Sequence, residues 1–265
     1  MAGAATVEKA LDLLFHLHEV GMPLGLSEIG RDLELPKSSC HRLLSALVER
    51  DVVEQDAAGR YRPGLALLAL GLGAQTREPV VQAARLILEE EARVFGETVF
   101  LVGRRRGGLR VLDKAEGSGF LRAAPGVGDL VPADVTAAGK LYRAFGSRSG
   151  SETEPLAESS GTPAAVEDEA VRSRGYATNR DAWIDGLSVL AVPIWQGASP
   201  APGDPMAIVA LGAASARFEE IGESAIAARL LSAAARVGER LAASGMRPQR
   251  SRRASSQRGR GREAR

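Results

Sequence analysis

Cysteine is nearly missing from this chain: Cys40 is the one thiol in 265 residues. No intrachain disulfide and no cysteine-ligated metal cluster can form, which fits a reducing cytoplasm. Histidine is scarce as well. His16, His18 and His41 all precede residue 42, so no Ser/His/Asp or Cys/His set can be assembled in the C-terminal part, and an enzyme reading has no residues to stand on. His16 and His18 are two apart, point to different sides of a helix and cannot share a metal. Asp181 and Asp185 lack the alternating ligands of a calcium loop, so no metal or cofactor is expected. No apolar run reaches membrane-spanning length, and the opening MAGAATVEKALDLL lacks the basic region and apolar core of a secretory leader. A membrane is therefore not an expected partner.

A strong charge of one sign is also lacking, because the formal net charge is +1. That value hides an uneven distribution: residues 1–64 hold seven basic and ten acidic side chains, whereas residues 245–265 hold eight and one. The N-terminal region by itself therefore has little nonspecific attraction for nucleic acid. The Arg-, Ser- and Gly-rich tail after residue 245 has almost nothing to bury and is expected to be disordered, either adding such attraction or acting as a neutral extension.

What the chain does have is a concentrated pattern at residues 24–63. Ser27 is a candidate N-cap for a short helix bearing Ile29 and Leu33, which Glu34-Leu35-Pro36 ends because a residue before proline leaves the helical region. A second helix starts near Lys37 or Ser38, with Cys40, Leu43, Leu44 and Leu47 at the spacing of a buried stripe. Lys37 lies at its start, and Ser38, Ser39, His41, Arg42 and Ser45 are left on the outer face. Short hydroxyls and a cation near a helix N-terminus are what a DNA major groove accommodates, although an ordinary solvated face has the same composition. The extended runs 52–54 and 60–62 then flank the turn Asp56-Ala57-Ala58-Gly59. Alternation turns Tyr61 inward and Arg60 and Arg62 outward, as in the wing of a winged helix-turn-helix. Lys37, Arg42, Arg60 and Arg62 are expected on one face, with Glu8, Asp12, Glu19 and Glu28 behind it.

The run Pro36-Lys37-Ser38-Ser39-Cys40-His41-Arg42-Leu43-Leu44, the wing ending Gly59-Arg60-Tyr61 and the following Gly64-Leu65 resemble the DNA-binding half of IclR-type bacterial regulators. The resemblance extends over residues 6–243. It implies an α+β architecture: an N-terminal winged helix-turn-helix at 1–64, linker helices at 65–95, a GAF-like effector domain with a curved antiparallel sheet at 96–244, and the tail.

Before the helix pair, residues 6–20 read as a helix with Val7, Ala10, Leu11, Leu14, Phe15 and Leu17 on its buried side, stopped by Gly21 and Pro23. It supports the pair and contributes to subunit pairing. Residues 79–95 read as a longer helix whose Glu89-Glu90-Glu91 forms a solvated face, placed where a lever to the DNA heads would lie. From residue 97 the apolar period shortens to that of strands, at 98–103, 109–114, 120–122, 187–195 and 206–212. Helices fall at 136–145, 163–174 and 218–243. Residues 146–162 and 197–205 are loops by composition.

Thr136-Ala137-Ala138-Gly139-Lys140 is not a phosphate loop, because the first glycine of G-x-x-x-x-G-K would fall at Asp134 and Leu141 follows the lysine. Pro132, Thr136, Ala137, Gly139 and Lys140 instead resemble the family's P-x-x-x-T-A-x-G-K segment, where a helix N-terminus lies beside the ligand cavity and can offer backbone N–H groups to an anion. A tightly packed strand-to-helix turn with Lys140 in solvent is the other reading. Arg174-Gly175-Tyr176-Ala177, residues 186–194 and residues 205–212 resemble the remaining effector-domain signatures. The resemblance places pocket groups at Asn179, Val189, Ala210 and Gly212, with Val, Ala and Gly standing where acid-binding members carry polar side chains, and puts Asp134 where the family's histidine stands. Such a lining suits an aromatic or uncharged ligand, and equally a domain that senses nothing. Trp183 and Trp195 are either a ligand wall or core.

These residues imply a DNA-binding transcriptional regulator, a repressor rather than an activator, whose partners are double-stranded DNA, a small-molecule effector and further copies of itself in a homodimer or homotetramer. Paired heads follow because one small helix reads too few base pairs to be selective, and two-fold symmetry doubles the site. A ligand-independent DNA binder and a winged-helix protein-interaction module without an operator remain as alternatives.

Overall fold

The computed structural model describes residues 2–105, 107–119, 125–146, 162–197 and 204–244. The run at 120–122, most of the two compositional loops and the tail from 246 lie outside them. The chain divides into two compact units, Met1–Arg77 and Glu78–Arg265, so the stretch 65–95 contributes one helix to each.

The first unit contains α1 (Ala2–Val20), α2 (Leu26–Asp32), α3 (Lys37–Val48), β1 (Val53–Gln55), β2 (Tyr61–Pro63) and α4 (Leu65–Arg77). Its core joins Leu13, Leu17, Leu24, Ile29, Cys40, Leu44, Val53 and Tyr61. Of the side chains expected to be buried on α1, Leu17 is fully so, with Leu13 one turn before it. Val7, Leu11 and Phe15 are instead 58%, 46% and 62% exposed. The helix carries two adjacent apolar stripes, and periodicity cannot say which one meets α2 and α3.

Helix α2 is capped by Gly25, not Ser27, and the Gly25 N–H donates to Glu28 Oε2 at 2.7 Å. The reason is tertiary. Leu24 forms a β-bridge with Tyr61 through two backbone hydrogen bonds of 2.7 and 3.0 Å, holding the backbone extended until Gly25. The α2–α3 turn closes through Leu35 N–H to Gly30 O at 2.8 Å. Glu34 there adopts φ +53°, left-handed for a non-glycine residue.

The second unit contains α5 (Pro79–Phe95), β3 (Thr98–Arg105), β4 (Gly108–Ala115), β5 (Leu130–Val131), α6 (Ala137–Phe145), α7 (Thr162–Arg174), β6 (Ala177–Arg180), β7 (Leu187–Ile194), β8 (Ala207–Ala214), α8 (Ser215–Ile221) and α9 (Glu223–Ala243). Extended Glu78 followed by Pro79 starts α5, and Gly96 at φ +72° ends it. The six strands form one antiparallel, curved sheet in the order β5-β4-β3-β8-β7-β6. Strands β5 and β6 were not anticipated; at two and four residues they are too short to show a period.

Alternation along the strands divides the core in two. Val99, Leu101, Leu190, Val192, Val209 and Leu211 face α5, α8 and α9. Phe100, Val102, Val189, Ala191, Ile208 and Ala210 face α6 and α7. Strand β7 is buried along its whole length, as expected of a central strand covered on both faces.

Two charge and helix expectations are corrected here. Glu89-Glu90-Glu91 is not simply a solvated face: Glu91 is 2% exposed and paired with Arg229, with Arg236 Nη1 3.6 Å from its other oxygen, and Arg236 also pairs with Glu90. The third glutamate points inward because α9 lies along α5. The final helix is also two helices. Gly222, at φ +88°, breaks α8 from α9.

Candidate nucleic-acid interface and effector face

Helix α3 has an N-terminus placed by Pro36, whose fixed φ of −55° leads into the first turn. Cys40 and Leu44 are completely buried, and their burial orients the rest of the helix. Burial also raises the Cys40 thiol pKa, so it acts as a small apolar side chain there. Lys37, Ser38, His41, Arg42 and Ser45 are exposed, and Ser39 is half-buried. Lys37, His41 and Arg42 make no ion pair among the described residues. The helix therefore presents a hydroxyl-rich face with two unengaged cations and an imidazole.

The wing is a hairpin in the register Val53↔Pro63, Glu54↔Arg62, Gln55↔Tyr61. Its turn is built by Asp56, whose Oδ1 accepts the N–H groups of Ala58 and Arg60 at 2.9 and 2.8 Å, with Gly59 at φ +76°. Tyr61 is 7% exposed, and Arg60 and Arg62 face outward. Neither arginine is unengaged. Arg62 makes two hydrogen bonds to Glu54 Oε2, at 2.9 and 3.1 Å, and Arg60 Nη2 lies 3.6 Å from Glu28 Oε2. Glu28 thus belongs beside the wing and not behind the reading face. The cross-strand Glu54↔Arg62 pair follows from a hairpin register that periodicity alone leaves open, and the Glu28 contact follows from the Leu24–Tyr61 bridge.

In the second unit, Asn179, Val189, Gly212 and Thr98 are successive cross-strand partners on β6, β7, β8 and β3. They form one row across the sheet face covered by α6. Ala210 lies in the adjacent row with Ala177, Ala191 and Phe100. Both rows are deeply buried and poor in polar groups. Asn179, 3% exposed, accepts the Ala182 N–H at 3.1 Å through Oδ1, and its amide NH2 meets no acceptor among the described residues. That Thr98 and Ala191 share these rows with the expected positions follows only from the strand pairing.

Thr136 is the N-cap of α6: its hydroxyl accepts the Gly139 N–H at 3.2 Å and donates to Pro132 O at 2.6 Å. Ala137 is fully buried, and Gly139 is required by close approach, since a Cβ there would stand 1.8 Å from Ala133 O. Capping uses the Gly139 N–H, and Lys140 N–H bonds Thr136 O. Of the first helical amides, those of Ala137 and Ala138 remain without partners among the described residues. Lys140 is neither in solvent nor directed to a ligand: its Nζ lies 2.7 Å from Glu167 Oε1 and donates to Thr178 O at 3.1 Å. Burial pushes the Glu167 carboxyl pKa up, but the hydrogen bond and charge of Lys140, with Arg143, outweigh it and hold it below the usual range. Trp183 packs against the α6-side core, and Trp195, 8% exposed, meets Phe145 edge-on at 5.3 Å.

Among the described residues no group of His, Cys, Asp and Glu could hold a metal ion, and no helix is long and apolar enough to cross a membrane.

Comparison with known proteins adds a separate line of support. Residues 6–57 match the model of the IclR helix-turn-helix domain, and residues 73–239 match that of the bacterial transcriptional regulator IclR C-terminal domain. The glycerol operon regulatory protein of Streptomyces griseus is 30% identical over 198 residues, covering 71% of this chain and 78% of the relative. The transcriptional repressor AllR of Escherichia coli K12 is 25% identical over 241 residues, covering 82% and 83%. The crystal structure of the Thermotoga maritima IclR superposes with a TM-score of 0.71 at 25% identity, covering 90% of this chain and 99% of that one.

Proposed function

Because the chain belongs to the IclR family of bacterial transcriptional regulators, we propose that it is a homo-oligomeric repressor of a pseudo-palindromic operator. In this reading Lys37, Ser38, Ser39, His41, Arg42 and Ser45 enter the major groove, and Arg60 and Arg62 bind flanking phosphate. The observation that carries it is the division of α3: Cys40 and Leu44 are completely buried while Arg42 and His41 stand exposed on the opposite side. The wing arginines exchange Glu54 and Glu28 for phosphate, which costs little because exposed ion pairs are worth about 0 to 1 kcal/mol.

Pairing of subunits is supported by the first unit's exposed apolar surface. Besides the exposed Val7, Leu11 and Phe15 of α1, α4 has no buried residue and leaves Leu65, Leu68, Leu70 and Leu72 more than half exposed. A second copy is the proposed cover for this surface.

The effector proposed for the second unit is small, weakly charged and mostly apolar or aromatic, held between the N-terminal turn of α6 and the row Asn179, Val189 and Gly212, beside Ala210. Asn179 offers it one hydrogen-bond donor, while Thr136, Ala137 and Gly139 set the turn. The satisfied state of Lys140 and the lack of convergent charge favour a second reading, a ligand-independent regulator whose C-terminal domain serves assembly.

Anisotropy titrations of the full chain with the DNA upstream of its own gene test the central reading. Sequence-selective binding with an affinity that falls steeply as salt rises is expected. Binding indifferent to sequence, or none, would leave the helix-turn-helix as a protein-interaction module. A calorimetric screen of aromatic and carboxylic metabolites decides between the ligand-responsive and ligand-independent forms.

A further inference from the structure

Strand β3 touches different partners on its two faces near its C-terminal end. On the effector side, the backbone N–H of Arg104 donates to the hydroxyl of Tyr142 on α6 at 3.1 Å. Tyr142 is 1% exposed, and burial pushes its phenol up to about 12, so the hydroxyl stays protonated. On the α5 side, Arg105 Nη2 lies 3.0 Å from Glu78 Oε1, and Arg105 Nη1 donates to Arg104 O at 2.9 Å. Gly103 leaves room for this: a Cβ there would approach Leu112 Cδ1 to 2.5 Å and Arg105 Nη1 to 3.1 Å. A register shift between Leu101 and Val102, in the middle of the strand, precedes this end. Glu78 is the N-cap of α5 and the first residue of the second unit. Its carbonyl also accepts the Gln82 N–H at 3.1 Å.

We infer that Tyr142, the Arg104 peptide and the Arg105–Glu78 ion pair form a relay that couples the position of α6 to the junction leading to the DNA-binding unit. A ligand seated at the N-terminus of α6 would displace Tyr142, move the end of β3 and loosen or tighten the hold on Glu78. The coupling is reciprocal: a change at Glu78 must be felt at α6. This regulatory role rests on the effector reading above, but the relay is a property of the ligand-free chain and is measured without ligand. Tyr142, Arg105 and Glu78 are thus positioning residues.

Hydrogen exchange of the full-length protein, followed by mass spectrometry, provides the test. Tyr142→Phe removes the acceptor of the Arg104 N–H while keeping the ring that fills the core. Exchange is expected to rise roughly two- to fivefold at Gln82 and the next amides of α5, a range set by the modest worth of a half-exposed ion pair. Arg105→Gln should produce a similar rise at α5 and, by reciprocity, a rise in α6 at 140–145. The double exchange Glu78→Arg with Arg105→Glu should return both regions toward wild-type rates. Faster exchange confined to 103–105 in Tyr142→Phe, or an unchanged α6 in Arg105→Gln, would overturn the relay. If Tyr142→Phe fails to fold, the Arg105→Gln result and its charge-reversal rescue decide alone. A relay seen here with no ligand found in the calorimetric screen would refute the effector reading and leave the mechanical coupling intact.

Discussion

The outer face of α3 and the inner face of the six-stranded sheet are both proposed for recognition, yet they are built in opposite ways. On α3 the reading residues contribute nothing to the core, which is supplied by Cys40 and Leu44 on the other side. On the sheet, Val189 and Ala210 belong to the core cluster themselves, and Gly139 is held by packing so close that a Cβ does not fit. An exposed polar face separates binding from stability. A buried apolar face merges them, so its chemistry can change only within what the packing tolerates.

Substitutions of decreasing effect sharpen that contrast. Leu141→Ala, in the helix that covers the sheet, should cost about 2 to 5 kcal/mol in chemical denaturation, as for other large-to-small core changes. A loss under about 1 kcal/mol would mean that the effector face is less tightly packed than its burial implies. Arg42→Ala should weaken operator binding by about 1 to 3 kcal/mol while shifting unfolding free energy by no more than about 0.5 kcal/mol. Equal losses in both measurements would erase the distinction between the two faces. Thr136→Ala removes an N-cap and should cost about 1 kcal/mol of stability, in the effector unit alone. Arg62→Ala should leave stability nearly unchanged, because the exposed Glu54 pair is worth little, but reduce the salt slope of DNA binding by about 1 if the wing meets phosphate.

The smallest effect is in the pH dependence. Glu167 has its folded pKa lowered below the ordinary 4.5, so its contribution is complete above that value and is lost as pH falls through the folded pKa. Glu167→Gln should flatten the acid limb of a stability-against-pH curve for the second unit, with no change in DNA affinity at neutral pH.

The helix-turn-helix was readable because its signals are local. Pro36 starts a helix, the leucine spacing selects its buried side, and Asp56 and Gly59 make the wing turn within five residues of one another. The C-terminal architecture was readable mainly through motif resemblance, since strands of two and four residues carry no period. Where periodicity was ambiguous it misled. The stripe of Val7, Leu11 and Phe15 is as apolar as the one that is buried, and Glu91 looks identical in sequence to its half-exposed neighbours Glu89 and Glu90.

By itself the sequence determined where α3 and the wing turn begin, which side of α3 is polar, and which family's motifs the chain carries, because dihedral preferences and side-chain spacing act over a few residues. Only the tertiary structure decided which apolar stripe of α1 meets the core, that Gly25 caps α2, that Arg60 and Arg62 lean on Glu28 and Glu54, and that Asn179, Val189, Gly212 and Thr98 share one row. Each of these depends on strand register or on helix against helix. Those pairings join residues far apart in the chain, and burial of the whole surface selects among arrangements that are locally equivalent.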